Sequence, residues 1–258
     1  MSAAVAPPLP RDRTVRVLTY NVHRCVGTDG QLSPERIAAV IARCEPDIVA
    51  LQELDVGRVR TGGVDQAHAI AALLRMDFHF HPALRVEEEL YGDAILTALP
   101  VRLMKAGALP GLPDRLRLEP RGALWAAVDV GGTELHVINT HLGLLRLERL
   151  RQAAALVGEE WLDHPKRQGP VILLGDFNSV PRSSTYRRLA GRLRDAQRLC
   201  PARTVRPTFP SRFPLLRLDH VFVSPEIEVL SATVPRDRLT RTASDHLPLV
   251  VRCRLPGP

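Results

Sequence analysis

The chain has 258 residues, 45% of them hydrophobic and 24% charged, enough to bury a core without help from metals or disulfides. Its four cysteines (Cys25, Cys44, Cys200 and Cys253) are scattered without a CxxC pair, which argues against a zinc knuckle or a disulfide scaffold and suits a reducing cytoplasm. The formal charge of +7 favours anionic partners, but only weakly, because all cations except Lys105 and Lys166 are arginine, as a GC-rich genome would give.

Residues 1–13 lack the apolar stretch of a secretory signal and are expected to be a disordered leader to one domain, 14–258. No run approaches the ~18 apolar residues of a membrane span. Residues 15–22, VRVLTYNV, alternate and are β-branched, the pattern of a strand. A helix is expected over 33–44, with Ser33 as its cap, Pro34 at its first position, and Ile37, Val40 and Ile41 as its apolar stripe. DIVALQEL, 47–54, is an apolar run closed by polar residues, as in a buried strand whose exit carries function. A helix at 64–75, strands at 93–99, 122–130 and 134–140, a long helix at 145–162, a strand at 170–175, a helix at 183–190 and strands at 218–223 and 247–254 follow. Gly131-Gly132 marks a hairpin, so the sheet is mixed rather than all parallel. The Pro- and Arg-rich stretch 201–217 reads as a surface loop with a function of its own.

Polar residues at strand ends connect these elements. Asn21 ends the first strand and Glu53 the second. Asn139, Thr140 and His141 end the run 134–140, and Asp176 and Asn178 follow VILLG. Asp219 and His220 lie in RLDHVFV, and Asp245 and His246 precede LPLVV. Each alone has an ordinary reading, such as a turn former, an N-cap or a solvated charge. Asp219 resists it, because a carboxylate inside an apolar strand needs a partner. Ligands of open α/β sheets sit outside strand ends, where all these groups could converge.

In this order the segments TYN (19–21), LQE (51–53), YGDAIL (91–96), EPRGAL (119–124), NTHLG (139–143), GDFN (175–178), RLDH (217–220) and SDHLP (244–248) resemble the endonuclease/exonuclease/phosphatase superfamily across roughly residues 14–254. GDFN with a terminal SDH is the specific part, and YNVHRCVGTDG (20–30) is similar to a bacterial subgroup. The superfamily includes pancreatic-type deoxyribonuclease, abasic-site endonucleases, inositol-polyphosphate phosphatases and bacterial sphingomyelinases. The resemblance implies an α/β (α+β) four-layer sandwich: two mixed, mainly antiparallel sheets face to face, with helices outside.

It also implies hydrolysis of phosphate esters with Mg²⁺ or Mn²⁺, one ion or two. Glu53 would be the main metal ligand, with Asn21 and Asp245 beside it. His246 would be the general base or a phosphate contact, oriented by Asp219; Asp176 is the rival base. Asp176 and Asn178 would position the attacking water, His141 would donate to the phosphoryl group, and Arg121 would add positive charge. His23, Arg24 and Asn139 are further candidate substrate contacts. Asp93 stands where relatives carry an amide, and is either a second metal ligand or solvent-facing. With aromatic residues at only 4%, stacking platforms for nucleic acid are scarce, so a small or lipid-linked ester is favoured over DNA or RNA. Nucleic acid and an anionic lipid surface are the alternative partners, and the chain is expected to act as a monomer. A catalytically silent scaffold would have no reason to keep Glu53, Asp176, Asp219 and His246 together.

Overall fold

The structure, a computed structural model, describes residues 13–112, 118–202 and 205–257. The expected leader therefore lies outside the described residues, apart from Arg13. In chain order the elements are β1 (Thr14–Asn21), α1 (Pro34–Cys44), β2 (Ile48–Val56), α2 (Gln66–Leu74), β3 (Asp77–Val86), β4 (Glu89–Thr97), β5 (Val101–Ala108), β6 (Gly122–Val130), β7 (Thr133–His141), α3 (Arg146–Leu156), β8 (Val171–Asp176), α4 (Ser184–Ala190), β9 (Arg194–Asp195), α5 (Ala196–Leu199), β10 (Asp219–Val223), β11 (Glu228–Thr233), α6 (Arg238–Ala243) and β12 (Leu249–Arg254).

Two six-stranded sheets result, in the orders β11-β12-β1-β2-β4-β3 and β5-β6-β7-β8-β10-β9. Each has one parallel pair, β1–β2 and β7–β8, among antiparallel neighbours. Val17, Ile48, Ala50 and Ile95 of the first sheet pack against Leu124, Ala126, Val137, Ile172 and Leu174 of the second. The residues between them along each strand turn outward: Val49 and Leu51 join Leu18 under Ile37, Val40 and Ile41 of α1 and Ile70 of α2. Trp125, Ile138 and Leu173 do the same beneath Leu156 of α3 and Tyr186 and Leu189 of α4. Strands buried on both faces explain the continuous apolar runs of the sequence. The fold is the expected four-layer sandwich.

Ser33 caps α1 as expected, its Oγ accepting from the Arg36 amide at 3.1 Å. Two expectations need correction. The helix expected over 145–162 ends at Leu156, and the chain continues in turns through Gly158. Trp161 and Leu162 still bury themselves in the outer core, so the apolar periodicity outlasts the helix. Strands β3, β5 and β11 had no counterpart in the sequence reading. All three are edge strands, half-exposed and polar on one side, which removes the apolar run that marks the inner strands. All four cysteines are free thiols, and no helix among the described residues is long and apolar enough to cross a membrane.

Candidate active site

The parallel pairs carry the site. β1, β2, β7 and β8 all run toward the same end of the sandwich, so Asn21, Glu53, His141 and Asp176 meet where the sheets part. β10 runs antiparallel to β8 and pairs Asp219 with Asp176. β12 runs antiparallel to β1, which brings His246, just before it, to the same place. Glu53, His141, Asp176 and His246 line an open cleft of about 520 Å³, whose walls also include Tyr91, Arg121 and Asp245.

Glu53 reaches this cleft through a bulge. Pairing with β4 jumps from Leu51–Ala94 to Leu54–Gly92, and Glu53 takes φ +62°. A left-handed side-chain-bearing residue costs about 1–2 kcal/mol, and such strain persists only where the surroundings hold it. Asn139 supplies part of that hold: its Nδ2 donates to Leu51 O and Ala94 O, both at 2.9 Å, and its Oδ1 accepts from Gln52 Nε2 at 2.7 Å. Asp93 supplies more, accepting from the Glu53 backbone N–H. Burial pushes the Asp93 carboxyl up to about 8, despite the opposing pull of Arg121.

Three sequence expectations change here. Asn139 is fully buried between the sheets, so it supports Glu53 and does not touch substrate. Asp93 is buried against the bulge, so it neither faces solvent nor lines the cleft. Asn21 accepts the His23 amide on Oδ1 at 3.0 Å, which turns its Nδ2 toward Glu53 Oε1 at 2.9 Å and Asp176 Oδ2 at 3.0 Å. It therefore bridges two carboxylates and offers the cleft no metal-ligating oxygen.

Asp219 Oδ2 lies 2.8 Å from His246 Nδ1, and His246 Nε2 lies 3.6 Å from Asp176 Oδ2. Asp176, Asp219 and His246 present ligand atoms within 4.8 Å of one another. Asp219 Oδ2 is engaged by His246, while its buried Oδ1 has no hydrogen-bond partner among the described residues, so we read the group as an imidazole oriented by two carboxylates, one of which keeps a free oxygen. Burial alone would lower the His246 pKa. The Asp219 and Asp176 carboxylates outweigh it and raise the group to about 10, so the ring is a cation at neutral pH. Burial raises Asp176, while His246 pulls it back.

His141 behaves oppositely. Burial, then Arg121 and His246, hold it well below its usual range and neutral. Arg121 Nη1 stands 3.0 Å from His141 Nδ1 and Asn178 Nδ2 stands 3.1 Å from its Nε2; both are donors, so they compete for the one lone-pair nitrogen of the neutral ring, whose Nε2 also faces Asp176 at 3.6 Å and Glu53 at 4.0 Å. Arg121 is itself buried and paired with Glu119 at 2.6 Å. Asn178, at φ +47°, donates its amide to Asp176 Oδ1 at 2.8 Å, and its side chain lies 3.1 Å from His141 Nε2. Gly175 makes this approach of β7 and β8 feasible: at φ +145°, a Cβ there would sit 1.9 Å from Thr140 O.

His23, Arg24 and Cys25 are three consecutive left-handed residues at the cleft rim. His23 Nε2 accepts from Arg24 Nη2 at 2.6 Å and its Nδ1 meets Val26 O at 3.1 Å, so the ring steadies Arg24 and keeps no free nitrogen for substrate. Tyr91, Glu119 and Arg60 line the cleft without having been singled out. Glu119 and Arg121 stand two apart in EPRG, a spacing that could have flagged their pairing.

For metal binding, Glu53 and Asp245 are the open oxygen donors beside Asp176, and this all-oxygen, anionic set suits a hard divalent cation such as Mg²⁺ or Mn²⁺. The structure thus joins a two-sheet sandwich to strand-end acids, amides and imidazoles, the architecture of a phosphoesterase-type hydrolase fold. The model of the Endonuclease/Exonuclease/phosphatase family matches residues 18–246, and the chain belongs to this family, whose members are hydrolases acting on phosphoesters. It is 28% identical over 263 residues to the uncharacterized protein YbhP of Escherichia coli (strain K12), covering 96% of this chain and 100% of that one. It is similar to the crystal structure of an endonuclease/exonuclease/phosphatase from Beutenbergia cavernae, with TM-score 0.76 and 27% identity over 95% of this chain and 72% of the other. The mannosyl-6-phosphatase Bt3783 of Bacteroides thetaiotaomicron shares the fold, with TM-score 0.74 and 24% identity over 93% of this chain and 99% of that one.

Proposed function

We propose that the protein is a divalent-metal-dependent phosphoesterase acting on a small or lipid-linked phosphate ester. The observation that carries this reading is the convergence of Glu53, Asp176 and Asp245 with the Asp219–His246 pair in one cleft. Carboxylates so close repel one another unless cations share the site. Glu53 and Asp245 would hold the metal, which when bound supplies positive charge against the phosphoryl oxygens.

The remaining work falls to the chain's own groups. Asp176, steadied by the Asn21 and Asn178 donors, orients the attacking water and takes its proton. His246, already a cation, donates Nε2–H to a phosphoryl oxygen while Asp219 fixes its ring. His141 stands beside it as a neutral ring, its Nδ1 against Arg121 and its Nε2 turned toward Asp176. Asp176 rather than His246 is thus the base in the resting enzyme. A cleft of about 520 Å³ suits a headgroup-sized ester. Phe209, an aromatic ring of the cleft wall, is tilted against His246 with centroids 4.8 Å apart, which leaves it poorly placed as a base-stacking platform.

The test is a substrate panel: bis-p-nitrophenyl phosphate, sugar phosphates, phospholipid headgroup esters, plasmid DNA and single-stranded oligonucleotide, each with Mg²⁺ and with EDTA at fixed salt. Mg²⁺-dependent turnover of small or lipid esters is expected. Hydrolysis confined to nucleic acid, or full turnover in chelator, would overturn the reading.

A further inference from the structure

We propose that the cleft mouth docks on an anionic lipid bilayer, so that the ester cleaved is a phospholipid headgroup taken at the membrane surface; the substrate part rests on the phosphoesterase reading, the docking part does not. The argument begins with the loop 205–217. Phe209 and Leu216 form a bridge, with Leu216 N donating to Phe209 O at 2.8 Å and Thr208 N to Leu216 O at 2.9 Å. Ser211 ties the base down, its backbone N–H donating to Asp245 O at 2.7 Å and its hydroxyl to Ser244 O at 2.7 Å. The base of the loop is therefore fixed to the segment that carries Asp245 and His246, and Phe209 lines the cleft.

The tip points outward. Phe213 is 73% exposed and Leu215 79%, fractions that water tolerates poorly in adjacent large apolar side chains. Exposed apolar side chains recur around the mouth: Leu144, 68% exposed, lines the cleft, and Val59, 83% exposed, precedes cleft-lining Arg60. Charge settles the choice of occupant. Pro214 lies with Arg206 and Arg236 around one surface pocket, and Arg212 lies with Arg236, Arg238 and Arg241 around the next. The carboxylate among them, Asp237, is engaged by Arg43 at 3.4 Å. Among the described residues none of these five arginines forms an ion pair with a carboxylate. An apolar finger rooted beside the catalytic imidazole and flanked by unpaired guanidinium groups is complementary to a surface that is apolar inside and negative outside.

Co-sedimentation with phosphatidylcholine vesicles, alone or mixed with phosphatidylglycerol, tests this directly. The full chain should bind the mixed vesicles, bind pure phosphatidylcholine more weakly, and release as salt rises. Phe213→Ser/Leu215→Ser and, separately, Arg236→Glu/Arg238→Glu should each weaken binding at least ~10-fold. All four positions are exposed, so unfolding temperatures and turnover of bis-p-nitrophenyl phosphate should match wild type. Absence of wild-type binding to mixed vesicles, unchanged binding by both variants, or retention of oligonucleotide in place of vesicles would overturn docking. Vesicle binding without turnover of any ester would leave docking standing and strike the phosphoesterase reading instead.

Discussion

Asp219 Oδ2 stands 2.8 Å from His246 Nδ1, joining the first residue of β10 to the segment that enters β12. This contact accounts for a carboxylate at the head of an apolar strand and, together with the Asp176 carboxylate, for an imidazole pushed up to about 10. The raised group contributes stability that is complete below the unfolded pKa of ~6.5 and is lost as pH rises through about 10. Activity should follow the same limb, holding through neutral pH and falling as His246 loses its proton. Asp219→Asn should move that alkaline limb to lower pH. Single alanine changes at Asp219 and His246 should each cost on the order of 10² in turnover, with the double variant little worse. An unmoved limb, or losses that multiply, would break the pairing.

Glu53 and Asp245 carry the second expectation. Titration calorimetry with Mg²⁺ or Mn²⁺ should show binding to wild type and strongly weakened binding to Glu53→Gln, which keeps the shape of the side chain and removes its charge. Linkage predicts a parallel signal without any substrate: free ion at about a hundred times Kd should stabilise wild type by ~2.7 kcal/mol and the variant by far less. EDTA should abolish turnover. Equal metal binding by Glu53→Gln would remove this residue from the ligand set.

Asn139 separates support from contact. Replacing it with alanine strips a partner from Leu51 O and from Ala94 O, both buried, while Gln52 Nε2 keeps Thr19 Oγ1 and Ala50 O. At ~1–3 kcal/mol per orphaned group, partly relieved by relaxation, Asn139→Ala should lose roughly 3 kcal/mol in a denaturant titration and lower kcat by loosening Glu53. A rise in KM alone, with stability intact, would mean that Asn139 does contact substrate.

The sequence showed the inner strands because they are buried on both faces, and it showed their ends because buried apolar runs stop abruptly at polar side chains. It could not show depth. Asn139 and His141 are two apart on β7 and so share the face turned toward the other sheet. His141 stands where the sheets part, while Asn139 lies one step further in, under Leu51 and Ala94. Nor could it show which end of an amide faces the acids. The His23 amide decides that for Asn21, through a turn of three left-handed residues that no propensity favours. Edge strands β3, β5 and β11 stayed hidden for the converse reason, since half-exposed strands dilute the apolar pattern with polar side chains.

The titration of Asp93 has a definite sign. Its carboxyl is buried and pushed up to about 8, above the 3.8 it would have in the unfolded chain. Below pH 3.8 both states are protonated and the group is neutral for stability. As pH rises past that point the unfolded chain releases its proton first, so Asp93 destabilises the fold increasingly until it ionises near pH 8. Asp93→Asn keeps an oxygen to accept from the Glu53 backbone and removes the ionisation. The variant should therefore be more stable than wild type at pH 7, on the order of 2 kcal/mol, with the gap shrinking toward zero near pH 4. Activity should survive, because the bulge that aims Glu53 keeps its acceptor. Chemical denaturation at pH 4, 5.5, 7 and 8.5 checks the slope. A variant that is less stable at neutral pH and loses metal affinity would instead make the Asp93 charge part of the metal site.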